Sequence, residues 1–222
     1  VAHHGDSDDE RRVAEARLAL LTPVVKGWCT EVAQETTSLG VQIHGGMGYV
    51  EETGAAQYMR DARILPIYEG TTGIQAADFV GRKILANEGR DISGLIAELR
   101  EMCDLLEKDE PLQVIGVQVR EGLVQLEQGV EWLLNNAAED PAAAGNSSVN
   151  LMMLAGTVLG GAFLAKTALA ARSANDVDGE FAKNKVATTA FYCAHMLSRA
   201  DAFRAAAMAD PVVTMAIDVG SL

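Results

Sequence analysis

The sequence is poor in basic side chains. Its 222 residues contain 18 Lys and Arg but 31 Asp and Glu, which gives a formal net charge of −13 at pH 7. The acid excess is spread along the chain: residues 1–88 carry 8 basic and 13 acidic side chains, and residues 89–222 carry 10 and 18. Phosphate backbones bind patches of lysine and arginine, so this composition argues against a nucleic-acid partner.

Proline and aromatic residues are also scarce. The chain has 5 prolines, and aromatic residues make up 5% of it, whereas alanine, leucine, valine and methionine are frequent. Aromatic residues favour strands, while alanine, leucine and methionine favour helices. The composition therefore predicts an all-α fold, and a hydrophobic fraction of 49% is normal for a packed globular protein.

Cysteine is rare and widely spaced. The three cysteines, Cys29, Cys103 and Cys193, show no Cys-x-x-Cys or Cys/His ligand spacing. We therefore expect reduced, mostly buried thiols in a cytoplasmic protein and no metal site.

The chain has no long hydrophobic run. Its most apolar stretch, residues 149–165, is shorter than the roughly 18–20 residues of a membrane span and contains Asn150 and three glycines. We expect a buried helix there and no membrane span. The polar opening "VAHHGDSDDERR" lacks turn residues and apolar periodicity, so we expect it to be a loop within a longer protein.

The first part of the chain shows helical periodicity. Apolar residues recur every three or four positions from Val13 to Leu39, which predicts a helix capped by Asp8 and Asp9. The glycines in "GGMGY" predict its end, because glycine is the preferred residue just past a helix. A shorter helix is expected over residues 51–62.

The next helix is expected to begin at Thr71 or Thr72. Thr72 and Gln75 fit a capping box, with Thr72 as the N-cap. Before them, "RILPIYEG" is predicted to be irregular, because Pro66 disfavours the helical conformation of the residue that precedes it.

A boundary is predicted near residue 90, with one helical domain over residues 1–90 and an antiparallel helical bundle over residues 91–222. Residues 89–93 are interpreted as a linker in which Ser93 caps the following helix. Short loops between long amphipathic helices favour antiparallel neighbours. The expected helices of the second domain are 93–108, 112–137, 147–172 and 178–208.

Glu69 is a single carboxylate placed between an apolar pair and a glycine. One interpretation makes it an acid that favours the positive end of the helix beginning at Thr71. In the other, Ile67 and Tyr68 desolvate the carboxylate, since burial makes a carboxylate a better proton acceptor near neutral pH. Gly70 would then let a substrate lie against the backbone. The spacing alone leaves both interpretations open.

A second glycine motif, "QIHGGMG", occupies residues 42–48. It follows a helix and not a strand, so it does not fit the dinucleotide-binding fingerprint. A helix end and tight turn explain Gly45 and Gly46, although backbone N–H groups at such places also suit phosphate oxygens.

Residues 41–85 combine these motifs in one stretch. Together, Gln-x-x-Gly-Gly-x-Gly and the later Arg-Asp-Ala-Arg-Ile and Ile-Tyr-Glu-Gly-Thr resemble the C-terminal region of the acyl-CoA dehydrogenases. Residues 8–88 look like the latter helices of that family's C-terminal four-helix domain. Residues 92–222 resemble the extra helical domain of a larger bacterial subgroup that includes the methylmercaptopropionyl-CoA dehydrogenases.

The resemblance implies a role for each motif. Glu69 would be the base that removes the α-proton of an acyl-CoA thioester while the β-hydrogen leaves as hydride to FAD, and Gly70 and Tyr68 would contact the substrate. The cofactor-binding residues that it implies are Gln42, Ile43, His44, Gly45, Gly46, Thr71, Thr72, Gly73 and Gln75.

The resemblance also implies a setting. It predicts an enzyme of fatty acid metabolism that is a homo-oligomer, a dimer or a dimer of dimers, with FAD contacts shared across subunits and electron-transfer flavoprotein as acceptor. Nothing in the chain resembles the family's N-terminal helical domain or middle β-domain, so we expect the fragment alone to be inactive. The alternative is a non-catalytic helical module for assembly or protein binding. The carboxylate in "IYEGT" favours the enzyme.

Overall fold

The chain folds into α-helices joined by short turns. The computed structural model describes residues 7–174, 178–216 and 220, and that part of the chain contains no β-strand. The prediction of an all-α fold is confirmed. The helices are α1 (Asp8–Ile43), α2 (Gly46–Tyr49), α3 (Ala55–Ala62), α4 (Thr72–Asp78), α5 (Arg90–Leu106), α6 (Gln113–Asn136), α7 (Pro141–Ser173), α8 (Gly179–His195), α9 (Ala200–Ala207) and α10 (Pro211–Met215).

The N-cap of the long helix α1 lies one residue before the predicted caps. Ser7 is the N-cap, and its hydroxyl accepts a hydrogen bond from the backbone N–H of Glu10 at 3.2 Å. Asp8 and Asp9, predicted to cap the helix, instead lie in its first turn, where acids favour the positive helix end. The helix continues through the buried Pro23.

A compact turn, and not a linker, joins α4 to α5. After α4 the chain forms a π-helical segment, Phe79–Ile84, and a 3₁₀ turn, Leu85–Asn87. Glu88 and Gly89 then adopt left-handed conformations, with φ of 56° and 73°. These two residues complete the reversal, so α5 begins directly at Arg90. The predicted linker over 89–93 with a Ser93 cap is wrong.

Two later helices also differ from their predicted bounds. α7 begins at Pro141, because Asp140 caps it through a 2.8 Å hydrogen bond from the N–H of Ala142. The helix predicted over 178–208 is divided into α8 and α9 by a 3₁₀ turn at Leu197–Arg199, which buries Leu197.

Helix α7 is the centre of the core. It packs against α1, α4, α6, α8 and α9. The described core is continuous, since Leu20 and Phe79 from the first part share it with Ile92 and Leu154 from the second. The division near residue 90 stays a prediction.

The apolar part of α7 is a buried helix, as predicted. α7 is long and apolar enough to cross a bilayer by length and composition, but 67% of its most apolar window is buried inside the protein.

Two glycines of α7 allow α1 to approach closely. A Cβ atom at Gly156 would lie 2.1 Å from Cγ of Trp28, and one at Gly160 would lie 3.1 Å from the same indole ring. The Gly-x-x-x-Gly spacing of these two residues therefore marks close helix packing. The indole Nε1–H also donates to Oγ1 of Thr157 at 3.3 Å.

Candidate functional site

The turn that carries Glu69 connects α3 to α4. It is irregular, as predicted: the N–H of Tyr68 donates to the carbonyl of Ile64 at 3.2 Å, and that of Thr72 donates to Pro66 at 3.2 Å. These two bonds fold residues 64–72 into a tight loop.

Glu69 and Gly70 both adopt left-handed backbone conformations. Their φ angles are 53° and 90°. A non-glycine residue in this region is strained by about 1–3 kcal/mol, and such strain is concentrated at functional sites. A side chain at position 70 would also make a close contact, because its Cβ atom would lie 2.9 Å from Nε2 of Gln75. The positive φ therefore favours glycine at position 70, where a side chain would also displace the amide of Gln75.

Gln75 stabilises the backbone conformation of Glu69. Its side-chain Nε2 donates to the carbonyl oxygen of Glu69 at 3.1 Å. Thr71, and not Thr72, is the N-cap of α4, and its Oγ1 accepts a 3.4 Å hydrogen bond from the N–H of Ile74. The predicted capping box between Thr72 and Gln75 is therefore wrong, because both side chains have other partners.

Helix α1 supplies two further contacts to this loop. The hydroxyl of Thr72 donates to Oε1 of Glu31 at 2.5 Å. The ammonium of Lys26 donates to the carbonyl of Leu65 at 2.5 Å and lies 5.4 Å from the ring centroid of Tyr68. Sequence reasoning missed both α1 residues, since they lie 39 and 41 positions from their partners and no local motif pairs them.

The Glu69 side chain is exposed in this chain. Ile67 and Tyr68, which were predicted to desolvate it, are themselves 46% and 45% exposed. The described residues therefore do not form the apolar niche that the sequence suggested. The carboxylate accepts no hydrogen bond from any described residue, and the loop uses only the backbone carbonyl of Glu69.

The second glycine motif lies at the end of α1. His44 is the C-cap, and its Nδ1 is 2.8 Å from the carbonyl oxygen of Gly40. Gly45 follows with φ of 60°, so the glycines end α1 as predicted. A cavity of about 280 Å³ beside this end is lined by Thr36, Thr37, Gly40, His44, Thr53, Ala55 and Tyr58.

The structure does not bring the two motifs to one point of α1. Glu69, Gly70, Thr71, Thr72, Gly73 and Gln75 lie together at the start of α4, whereas residues 42–46 lie at the end of α1. Glu31, which contacts the first group, is eleven residues from Gln42, about 16 Å along the helix axis. A ligand that reaches both motifs of a single chain must therefore be extended.

The second glycine motif is open to solvent. Gln42, Ile43, His44, Gly45 and Gly46 are exposed, and no atom lies within 4 Å of a Cβ placed at either glycine of this set. A phosphate group could approach that backbone directly. Among the described residues, no group of three or more His, Cys, Asp or Glu side chains is arranged to hold a metal ion.

Two family models match the chain in succession. "Acyl-CoA dehydrogenase, C-terminal domain" matches residues 4–85, and "Acetyl-CoA dehydrogenase C-terminal like" matches residues 95–218. The chain belongs to the acyl-CoA dehydrogenase family. Members of this family generally use FAD.

Individual relatives agree with that assignment. The chain is 43% identical to 3-methylmercaptopropionyl-CoA dehydrogenase of Ruegeria pomeroyi, over 89% of this chain and 34% of the relative. It is 30% identical to the broad-specificity linear acyl-CoA dehydrogenase FadE5 of Mycobacterium tuberculosis, over 82% and 33%. A butyryl-CoA dehydrogenase of Syntrophomonas wolfei is 26% identical, over 86% and 32%. The chain thus spans about a third of the length of the curated relatives that it matches.

Proposed function

We propose that this chain is the base-bearing C-terminal part of a flavin-dependent acyl-CoA dehydrogenase. Glu69 accepts the proton from the carbon next to the thioester carbonyl of an acyl-CoA. The observation that carries this proposal is the conformation of Glu69, a strained left-handed residue whose carboxylate is not used by the loop that strains it.

The strain favours a chemical role over a purely local one at Glu69, which lies within the matched C-terminal domain, whereas Glu88, also left-handed, lies beyond it. Glycine adopts a left-handed conformation readily, and a glutamate does not. The structural contact at this position, from Gln75, needs only a backbone carbonyl. The carboxylate is therefore dispensable for the loop, and a role in proton transfer explains its presence.

Other parts of a longer protein would provide the cover that this chain lacks. The relatives are about three times as long as the matched region. In addition, an open cleft of about 1200 Å³ along the first half of α1 is lined by apolar side chains that include Val13, Leu18 and Val25. We propose that further domains pack here and enclose Glu69, and that the fragment alone is inactive.

The other site residues would bind and orient the substrate and the cofactor. Gly70 lets the thioester approach the backbone beside the base, and Tyr68 borders the same position. FAD, when bound, supplies the acceptor for the β-hydrogen. Thr71, Thr72, Gly73 and Gln75 would hold the cofactor near the base, and residues 42–46 would contact its phosphate and adenosine groups.

The separation of the two motifs supports a shared cofactor site. Because residues 42–46 lie about 16 Å along α1 from the contact with the base loop, they are suited to a cofactor held by a second subunit. We therefore propose a homo-oligomer, with electron-transfer flavoprotein as the electron acceptor and the cytoplasm as its location.

The test is Glu69→Gln in the full-length protein, assayed by anaerobic flavin bleaching with a panel of acyl-CoA thioesters. We expect roughly a 10²–10⁴-fold loss of the bleaching rate with flavin content retained. Glu88→Gln is the matched control, since Glu88 is also an exposed left-handed glutamate, with φ of 56°. Wild-type rates in Glu69→Gln would reject the base role.

A further inference from the structure

We infer that the helices after residue 90 help to hold the base in place, and that Lys26 and Glu31 of α1 transmit this support as positioning residues. The inference rests on the proposed function of Glu69. It assigns a role to the C-terminal helices in the geometry of a loop that belongs to the first matched region.

Two residues of α1 fix the two ends of the base-bearing segment. Lys26 binds the carbonyl of Leu65 at its beginning, and Glu31 binds the hydroxyl of Thr72 at its end. Gln75 binds the carbonyl of Glu69 in the middle. A strained backbone persists only when its surroundings over-determine it, and these three contacts do so.

The same segment of α1 is also anchored to the C-terminal helices, through Trp28 and Glu35, which share one helix face with Glu31. The indole of Trp28 occupies the space left by Gly156 and Gly160 of α7. One turn beyond Glu31, Glu35 forms a two-point ion pair with Arg199, with both N–O distances at 2.6 Å.

Contacts to the base loop, from positions 26 and 31, alternate along α1 with contacts to the C-terminal helices, from positions 28 and 35. All four positions lie within ten residues. A helix clamped in this way cannot rotate or slide without breaking one set. The position of α1, fixed by α7 and by the turn before α9, therefore sets where Leu65 and Thr72 are held. Through them it sets the backbone of Glu69.

The experiment compares five variants of the full-length protein by amide hydrogen exchange and by steady-state kinetics. Glu31→Val removes the acceptor, Glu31→Gln keeps a carbonyl acceptor, and Lys26→Met removes the other loop contact. Arg199→Met breaks the ion pair that anchors α1 to the turn before α9. Glu127→Val is the matched control, because Glu127 of α6 also bridges helices, pairing with Arg100 of α5, but this pair involves neither α1 nor the loop.

We expect the amides of residues 67–75 to exchange about tenfold faster in Glu31→Val and Lys26→Met, as the loss of one hydrogen bond of this type predicts. Arg199→Met should accelerate the same amides several-fold, less than the loop variants because its ion pair is partly exposed. In Glu31→Val and Lys26→Met kcat should fall by about tenfold or more with little change in KM, because the base is misplaced while binding is retained. Glu31→Gln should restore most of both quantities, and Glu127→Val should change neither.

Unchanged exchange in both Glu31→Val and Lys26→Met would overturn the inference, as would faster exchange with wild-type kcat. Unchanged exchange of residues 67–75 in Arg199→Met would overturn the role of the C-terminal helices. A general loss of stability would accelerate exchange in every helix and would not be rescued by Glu31→Gln. Should the wild-type protein oxidise no acyl-CoA, the proposed function fails, while the exchange data still decide whether α1 fixes the loop.

Discussion

Substituting Gly156 by alanine should destabilise the protein, although alanine is the better helix former. The added Cβ would lie 2.1 Å from Cγ and 2.5 Å from Cβ of Trp28. These atoms are close to the α1 backbone, so the indole cannot avoid the methyl group by rotating its far end. The two helices must separate.

The magnitude follows from two opposing terms. Overpacking of a core costs about 1–3 kcal/mol, and a contact this short belongs at the upper end or beyond. Replacing a helical glycine by alanine gains up to about 1 kcal/mol. The net expectation is a loss of about 2 kcal/mol in the free energy of unfolding, or roughly 4–8 °C in Tm for a chain of this size.

The assay is urea denaturation followed by circular dichroism. Gly145→Ala in the same helix is the control, because nothing lies within 4 Å of a Cβ at that position. That substitution should stabilise the protein by about 0.5–1 kcal/mol. If Gly156→Ala were as stable as the wild type, the close packing of Trp28 on α7 would be refuted.

Three further predictions concern the loop, the thiols and acid. Glu69→Gly should raise the free energy of unfolding, measured in urea, by about 1 kcal/mol, because it relieves the left-handed strain. A decrease in that free energy would instead indicate that Glu69 stabilises helix α4 as an acid near its N-terminus. Burial raises the pKa of Cys103 and Cys193 to about 11 each, and partial burial also raises the pKa of Cys29. Because Cys29 is exposed and the other two are buried, Ellman's reagent at pH 8 should modify Cys29 much faster than the others, and equal rates for all three thiols would contradict this. The hydrogen bond from Arg199 lowers the pKa of Glu35, so its contribution to stability is present above the unfolded pKa of about 4.3 and is lost as pH falls through the lower folded value. Glu35→Gln should therefore reduce the loss of stability between about pH 5 and pH 3, by a small amount because the pair is partly exposed.

Local sequence signals predicted the helices better than their ends. The periodicity of α1 and the glycines after it gave one long helix with the correct C-terminus. The Asp140-Pro141 pair was interpreted as part of a loop, although Asp before Pro is a recognised helix start. That difference could have been found from the sequence.

Tertiary contacts explain the other differences between the predicted and the observed structure. Thr72 has the residue type of an N-cap, but its hydroxyl binds Glu31 from another helix. The glycines of α7 do not reveal from the sequence that they contact Trp28, which is 128 positions from Gly156. The exposure of Glu69 was likewise unpredictable, because it depends on whether Ile67 and Tyr68 fold over it or away.

The seating of the Trp28 ring against α7 has a consequence for protein engineering. If residues 1–88 and 89–222 were expressed separately, the first would expose a large indole and the second would expose a glycine-lined groove. We expect both products to aggregate. Chimeras that exchange the C-terminal helices between relatives should succeed only when the donor keeps small residues at the two positions that face the ring.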